Sequence, residues 1–95
     1  MMMEWKKTGK ITDISGFERF TNLEELNLIS AELSDISPLA DLKEMRNLYL
    51  DSRDITDFSA IKNMTKLENL TLTIGYYTDW SILKNHNNIR ELMIY

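Results

Sequence analysis

Apolar residues recur along this chain with a period of 22 residues, and no insertion interrupts the register. Within one period the apolar positions follow five steps of three residues and a last step of two. The first period places them at Ile11, Ile14, Phe17, Phe20, Leu23, Leu26 and Leu28. The same offsets in the next three periods are apolar except at His86. A fixed period of about 20 to 29 residues is typical of a solenoid, in which each repeat stacks on its neighbours.

The two spacings predict two kinds of backbone. Steps of three place side chains along one face of a tight helical or 3₁₀ path, whereas a step of two is the period of a strand. Each repeat is therefore expected to contain a short strand, a turn and a short helical return, with successive strands side by side in a parallel sheet. The strands are predicted at residues 25–28, 47–50, 69–72 and 91–94.

The reach of the repeat pattern sets the predicted domain organisation. The solenoid is expected to span residues 11–95, which contain the periodic positions. Residues 1–10 lack the pattern and are expected to form an N-terminal cap, with Trp5 folded over the first repeat.

Each repeat also carries an Asp-x-Ser sequence, which indicates a turn that leads into the helical return. The aspartates are Asp13, Asp35, Asp57 and Asp79. Ser37 followed by Pro38 is the expected start of a helical segment, with the serine as N-cap and the proline in the first turn. The aspartates can accept hydrogen bonds from the turn backbone. Calcium binding by these stacked aspartates is the alternative. Calcium needs six to eight oxygen ligands, however, and the sequence has no glycine-rich ligand loop beside the aspartates.

The strand segments resemble the L-x-x-L-x-L sequence of leucine-rich repeats, at residues 23–28, 45–50, 67–72 and 89–94. The 22-residue length and the sequence of residues 33–42 resemble the internalin-type subclass of bacterial surface proteins. The resemblance implies an α/β, right-handed leucine-rich-repeat solenoid of about four repeats, with a short parallel sheet and 3₁₀ or helical returns. It also implies a role in protein binding.

The chain departs from this family at one position. The family usually has an asparagine three residues after the last strand leucine, where its side chain bonds the turn backbone. This chain has Ala31, Arg53 and Gly75 there. The backbone groups of these turns must therefore be satisfied in another way.

Outward-pointing residues of the predicted strands would line the concave face of the solenoid. They combine amides, carboxylates and an aromatic side chain, a composition that suits a modest protein-binding patch. The alternative is an ordinary solvent-exposed face. The predicted protein-binding residues are Asn27, Asn47, Tyr49, Asp51, Asn69 and Thr71.

A further row of strand residues alternates in charge along the stack. It consists of Glu24, Arg46, Glu68 and Arg90. Because neighbouring strands lie about 4.8 Å apart, these side chains are expected to meet. The row is interpreted as a ladder of ion pairs that helps to set the register of the strands.

Composition narrows the classes of function. The net charge of −4, without a basic patch, argues against nucleic acid as a primary partner. The absence of cysteine excludes disulfides and thiolate metal sites, and the apolar runs are too short for a membrane span. His86 is the only histidine, and no nucleophile–base pair is evident. No catalytic residue, cofactor or metal is therefore predicted, and the chain is not expected to be an enzyme.

The sequence thus predicts a protein–protein interaction module that binds a partner protein of unidentified nature through its concave face. Two alternatives stay open: a structural spacer within a larger surface protein, and an intracellular immunity-type protein that neutralises a partner. A complete chain without a signal peptide would be cytoplasmic, and a fragment would come from a cell-surface or secreted protein. The uncapped last strand predicts either a homodimer through the C-terminal repeats or a truncated native protein.

Overall fold

The computed structural model describes residues 4–8, 14–29, 32–73 and 80–95, and of residues 4–8 and 29 it describes the backbone alone. Five parallel strands form one sheet in chain order, and short 3₁₀ helices connect them on the opposite side of the stack. The strands are β1 (Glu4–Thr8), β2 (Glu25–Ile29), β3 (Asn47–Asp51), β4 (Asn69–Thr73) and β5 (Glu91–Ile94). The 3₁₀ helices are η1 (Phe17–Arg19), η2 (Ser37–Leu39), η3 (Ser59–Asn63) and η4 (Ser81–Leu83).

The predicted strands are confirmed, and β2, β3 and β4 each extend one residue beyond the expected end. The parallel register keeps the 22-residue step, so that Leu48 lies opposite Leu26 and Leu70 opposite Leu48. Because parallel strands shifted by one full period present the same offsets to each other, the apolar positions of β2, β3 and β4 lie opposite their equivalents.

Strand β1 is not predicted by the repeat pattern. It pairs in parallel with β2, but Trp5 lies opposite Leu26, which is one residue short of the 22-residue period. The 22-residue period therefore does not extend to this strand. The division at residue 10 between cap and solenoid stays a prediction, and the position of the Trp5 side chain lies outside the described residues.

The core consists of apolar columns that run along the stack. The strand columns include Leu26, Leu48 and Leu70, all at most 2% exposed. Burying such a side chain contributes on the order of 1.5–3 kcal/mol. The last members of the columns differ, since Leu92 is 47% exposed and Ile94 40% exposed. Burial of a strand leucine in this fold therefore requires a neighbouring strand on both sides.

The aspartates of the second and third repeats cap the turns. The Oδ1 atom of Asp35 accepts a hydrogen bond from the Ser37 backbone N–H at 2.9 Å, and Asp57 accepts one from Ser59 at the same distance. The backbone N–H of Ser59, followed by its hydroxyl, lowers the pKa of the Asp57 carboxyl. Asp13 and Asp79 lie outside the described residues.

The expected N-cap role of Ser37 is wrong. Ile36 is the N-cap residue of η2, and Ser37 is the first residue of that helix. Pro38 does lie in the first turn, where its missing N–H leaves no helical hydrogen bond unmade. The Asp35 carboxylate bonds the N–H of Ser37, the first residue of the helix, so the aspartate and not the serine supplies the side-chain hydrogen bond at this helix start.

Ser52 supplies a turn hydrogen bond in place of the absent asparagine. It is 1% exposed, and its hydroxyl donates to the Leu33 carbonyl oxygen at 2.7 Å. Its backbone N–H donates to the Thr73 carbonyl oxygen at 3.0 Å. Ser52 precedes Arg53, the residue at the usual asparagine position. A shorter side chain one residue earlier thus bonds the convex turn in this repeat.

Replacing Ser52 by alanine is expected to lower the free energy of unfolding by about 1 kcal/mol, because the buried Leu33 carbonyl loses its hydroxyl donor. Urea denaturation followed by circular dichroism measures the change. Ser34→Ala, next to the accepting Leu33, is the control, since Ser34 is exposed and its loss should stay within about 0.5 kcal/mol. Equal stability of the two variants would show that the Ser52 hydrogen bond does not support the turn.

Candidate functional site

The strand register assembles the predicted concave face from rows of outward-pointing residues. Asn27, Tyr49 and Thr71 occupy matching positions of adjacent strands. Asn47 and Asn69 form a second row beside them. These contacts join residues 22 positions apart, and they exist because β2, β3 and β4 are paired in parallel without a bulge.

Five of the six predicted site residues line one shallow depression of about 210 Å³. Asp51, the sixth, does not line the depression. In the strand register it lies opposite Thr73, at the end of β3 and β4. Tyr49 is partly buried between the strands on either side. The lining residues are Glu25, Asn27, Asn47, Leu48, Tyr49, Asn69 and Thr71.

A hydrogen bond orders the amides of this depression. The Nδ2 atom of Asn69 donates to the Oδ1 atom of Asn47. A primary amide has two N–H donors and an oxygen with two lone pairs, so each side chain keeps hydrogen-bonding capacity beyond this bond. The depression therefore offers both donors and acceptors around an aromatic ring.

The predicted charge ladder is present over its first three residues. The Arg46 guanidinium lies 3.1 Å from the Glu24 carboxylate and 2.9 Å from the Glu68 carboxylate. The hydrogen bond and charge of Glu68, followed by the charge of Glu24, raise the pKa of Arg46. A parallel ion pair, not predicted, joins the Lys66 ammonium to the Glu44 carboxylate at 2.8 Å. These residues are also 22 positions apart, so the repeat period could have predicted this ion pair.

Neither a family model nor a curated protein matches this sequence. Solved structures do match it. An internalin, InlF, from Listeria monocytogenes is 29% identical, with a TM-score of 0.76 over 98% of this chain and 34% of that protein. An internalin C2 from the same species is 28% identical, with a TM-score of 0.79 over 90% of this chain and 40% of that protein.

The chain has an internalin-like leucine-rich-repeat fold. The resemblance drawn from the strand segments is therefore confirmed at the level of fold. This internalin-like chain spans 34% and 40% of the lengths of its two neighbours. The likeness supports a protein-interaction module in general terms.

His86 is, besides Ser52, a second buried polar residue of this internalin-like fold. It is 8% exposed, and its Nε2 atom lies 2.8 Å from the Ile61 carbonyl oxygen. The other ring nitrogen, Nδ1, is buried and has no hydrogen-bond partner among the described residues. The ring thus occupies a core position of the last repeat, with one nitrogen bonded.

The described residues contain no group of three or more histidine, aspartate or glutamate side chains arranged to hold a metal ion. Within the same part of the chain, no helix is long and apolar enough to cross a bilayer.

Proposed function

We propose that this internalin-like chain binds a partner protein through its concave face, with the depression around Tyr49 at the centre of the interface. The observation that carries the proposal is the convergence of an aromatic side chain and several amides from three adjacent strands. Tyrosine is enriched among the residues that dominate binding energy, particularly near the centre of an interface.

The shape of the depression bears on the kind of contact. Its volume of about 210 Å³ suits one or two partner side chains beside the Tyr49 ring. Asn47 and Asn69, fixed to each other, can bond polar atoms of the same partner. A stable interface covers about 800 Å² on each partner. The depression would therefore be the centre of a contact that spreads over the neighbouring rows.

The ends of the strand rows contribute charge to this face. Glu25 lines the depression, and Asp51 lies on the same face of β3 as Tyr49, two residues further along the strand. The chain as a whole has a net charge of −4. A partner with a neutral polar centre and basic rim residues would complement this arrangement, since opposite potentials across an interface speed association and exclude wrong partners.

Tyr49→Ala is expected to weaken binding of the partner roughly tenfold, because the change removes the aromatic ring at the centre of the contact. The partner is first isolated from the source organism with the wild-type chain as bait, and affinities are then measured by titration calorimetry with purified proteins. Circular dichroism verifies that the variant is folded. Lys62→Ala, an exposed change on η3, is the matched control and should leave the affinity unchanged.

An unaltered affinity of Tyr49→Ala would place the interface elsewhere. A loss shared by Lys62→Ala would point to the side of the 3₁₀ helices. Tyr49→Phe removes the hydroxyl and keeps the ring. If this variant binds the partner as tightly as the wild-type chain, the ring and not the hydroxyl provides the binding energy of Tyr49.

A structural spacer is the second candidate function, and it is suggested by how little of its neighbours' length the chain covers. A chain that spans 34% and 40% of two longer proteins could serve as a structural segment of a repeat array without a ligand of its own. The same titrations separate the candidates. A spacer would bind no purified partner with an affinity that depends on Tyr49.

A further inference from the structure

The polar side chains of the concave depression keep most of their hydrogen-bonding capacity. The amide of Asn27 and the hydroxyls of Tyr49 and Thr71 have no hydrogen-bond partner among the described residues. Asn47 and Asn69 share one hydrogen bond, which leaves further donors and acceptors on both amides. The depression therefore presents a dense group of unpartnered polar atoms, and these atoms are directional in what they bond.

The depression lies inside the stack of repeats. Its lining residues belong to β2, β3 and β4, and each of these strands is paired with a neighbouring strand on both sides. The shape and the chemistry of the depression are therefore set by strands whose neighbours are all described.

The charge of the depression restricts what it can bind. Among the described residues that line it, Glu25 is the one charged side chain, and none is a cation. A phosphate or carboxylate would therefore meet a like charge without a cation to offset it. Glu25 already interacts within the chain, so it does not require a cationic ligand.

Hydrogen bonding restricts the ligand further. An apolar group would displace water from the amides and hydroxyls without replacing their hydrogen bonds, which is costly. A protein side chain replaces only some of these bonds, because it carries few donors and acceptors. The ligand that fits is neutral and has many hydrogen-bonding groups close together.

A sugar ring meets these requirements. Each of its hydroxyls both donates and accepts, and the hydroxyls surround the ring, so that they can reach neighbouring strands about 4.8 Å apart. A carboxamide offers a donor and an acceptor side by side, which matches a pair of adjacent hydroxyls. The C–H groups on one face of the ring are attracted to the negative face of an aromatic side chain such as Tyr49. The space of about 210 Å³ holds one such ring.

We propose that the depression around Tyr49 binds one neutral sugar ring, carried by a glycosylated partner protein. Asn27, Asn47 and Asn69 bond its hydroxyls, and the Tyr49 ring contacts its C–H face. This inference rests on the proposed function and adds to it the chemical class of the group that the partner inserts.

Methyl glycosides of glucose, galactose, mannose and N-acetylglucosamine are the neutral probes, and methyl glucuronide is the anionic comparison. In titrations of the ¹⁵N-labelled full chain, at least one neutral glycoside should shift the side-chain amide signals of Asn27, Asn47 and Asn69, with a millimolar dissociation constant. The glucuronide should bind more weakly, because its carboxylate approaches that of Glu25.

Asn27→Ala is expected to weaken binding of this neutral glycoside about threefold to tenfold, because it removes an unpartnered amide from the depression. Asn63→Ala makes the same change at an exposed asparagine of η3 and should leave the dissociation constant unaltered. The proposal is overturned if no neutral glycoside shifts these amides at high millimolar concentration. It is also overturned if Asn27→Ala has no more effect than Asn63→Ala.

Removal of the sugars from the isolated partner separates this inference from the proposed function. The partner treated with glycosidases should bind the chain about tenfold less tightly than the untreated partner. An undiminished affinity that still depends on Tyr49 would overturn the sugar site and leave the concave protein interface standing. Glycoside binding together with a partner affinity that Tyr49→Ala does not change would keep the sugar site and reject that interface.

Discussion

Leu70→Ala is expected to lower the free energy of unfolding by about 2–5 kcal/mol, the range for truncating a fully buried leucine. Leu70 is 0% exposed and lies between Leu48 of β3 and Leu92 of β5. Because the backbone of both neighbouring strands is fixed by the ladder hydrogen bonds, the stack cannot close fully around the cavity. The cost is therefore the lost burial together with the unfilled volume.

Leu92→Ala is the control, since it makes the same chemical change at the same offset of the last repeat. Leu92 is 47% exposed, so its truncation should cost only about 1 kcal/mol. Guanidinium denaturation of both variants, monitored by circular dichroism, measures the difference. Equal losses would show that burial by two neighbouring repeats does not determine the contribution of a leucine in this fold.

The strands of this fold could be predicted from the sequence because one period fixes both their positions and their register. Once Leu26, Leu48 and Leu70 are recognised as equivalent, parallel pairing in steps of 22 residues follows, and so do the rows of the concave face. Strand β1 could not be predicted from the period, because its pairing with β2 is one residue short of 22. Its sequence, Glu-Trp-Lys-Lys-Thr, also lacks the leucine spacing.

The turns were less predictable, because several short polar side chains can satisfy the same backbone groups. Ser52 fills the role expected for an asparagine at the position of Arg53. One feature of the sequence indicated this role of Ser52: Ser30 and Ser52 occupy the same offset in consecutive repeats. Choosing between such positions requires the path of the turn backbone, which the periodicity of apolar residues does not specify.

The candidate site, like the fold, could be predicted from the sequence only in part. Adjacency of Asn27, Tyr49 and Thr71 follows from the register, whereas the separation of Asp51 from the depression depends on the local shape of the strand ends. The ion pair of Lys66 with Glu44 could have been predicted by applying the 22-residue step to charged residues. That binding occurs at this face stays a proposal, because rows of exposed polar residues also occur on surfaces without a ligand.

His86→Leu is expected to raise the free energy of unfolding by about 1–2 kcal/mol, the reverse of what most core substitutions do. A buried polar atom without a hydrogen-bond partner costs about 1–3 kcal/mol, and the Nδ1 atom of His86 has none among the described residues. The preceding repeats hold Leu42 and Met64 at this offset, both buried, so the site belongs to an apolar column.

The hydrogen bond that the substitution removes weakens this gain without cancelling it. The Ile61 carbonyl oxygen accepts from His86 Nε2 at 2.8 Å, but it also accepts from the Met64 backbone N–H at 3.0 Å. It therefore keeps a partner when the imidazole is gone, and the net value of one such bond is only about 0.5–1.5 kcal/mol. Leucine adds apolar contact with the column in the same volume range.

Urea denaturation of His86→Leu and His86→Ala beside the wild-type chain separates the two contributions. The alanine variant also removes the unpaired nitrogen but leaves a cavity, so its stability should fall below that of the leucine variant by about 2 kcal/mol or more. A leucine variant less stable than the wild-type chain would mean that Nδ1 is satisfied in solution. The imidazole would then be a bonded element of the last repeat, and its replacement of an apolar residue would stabilise the fold.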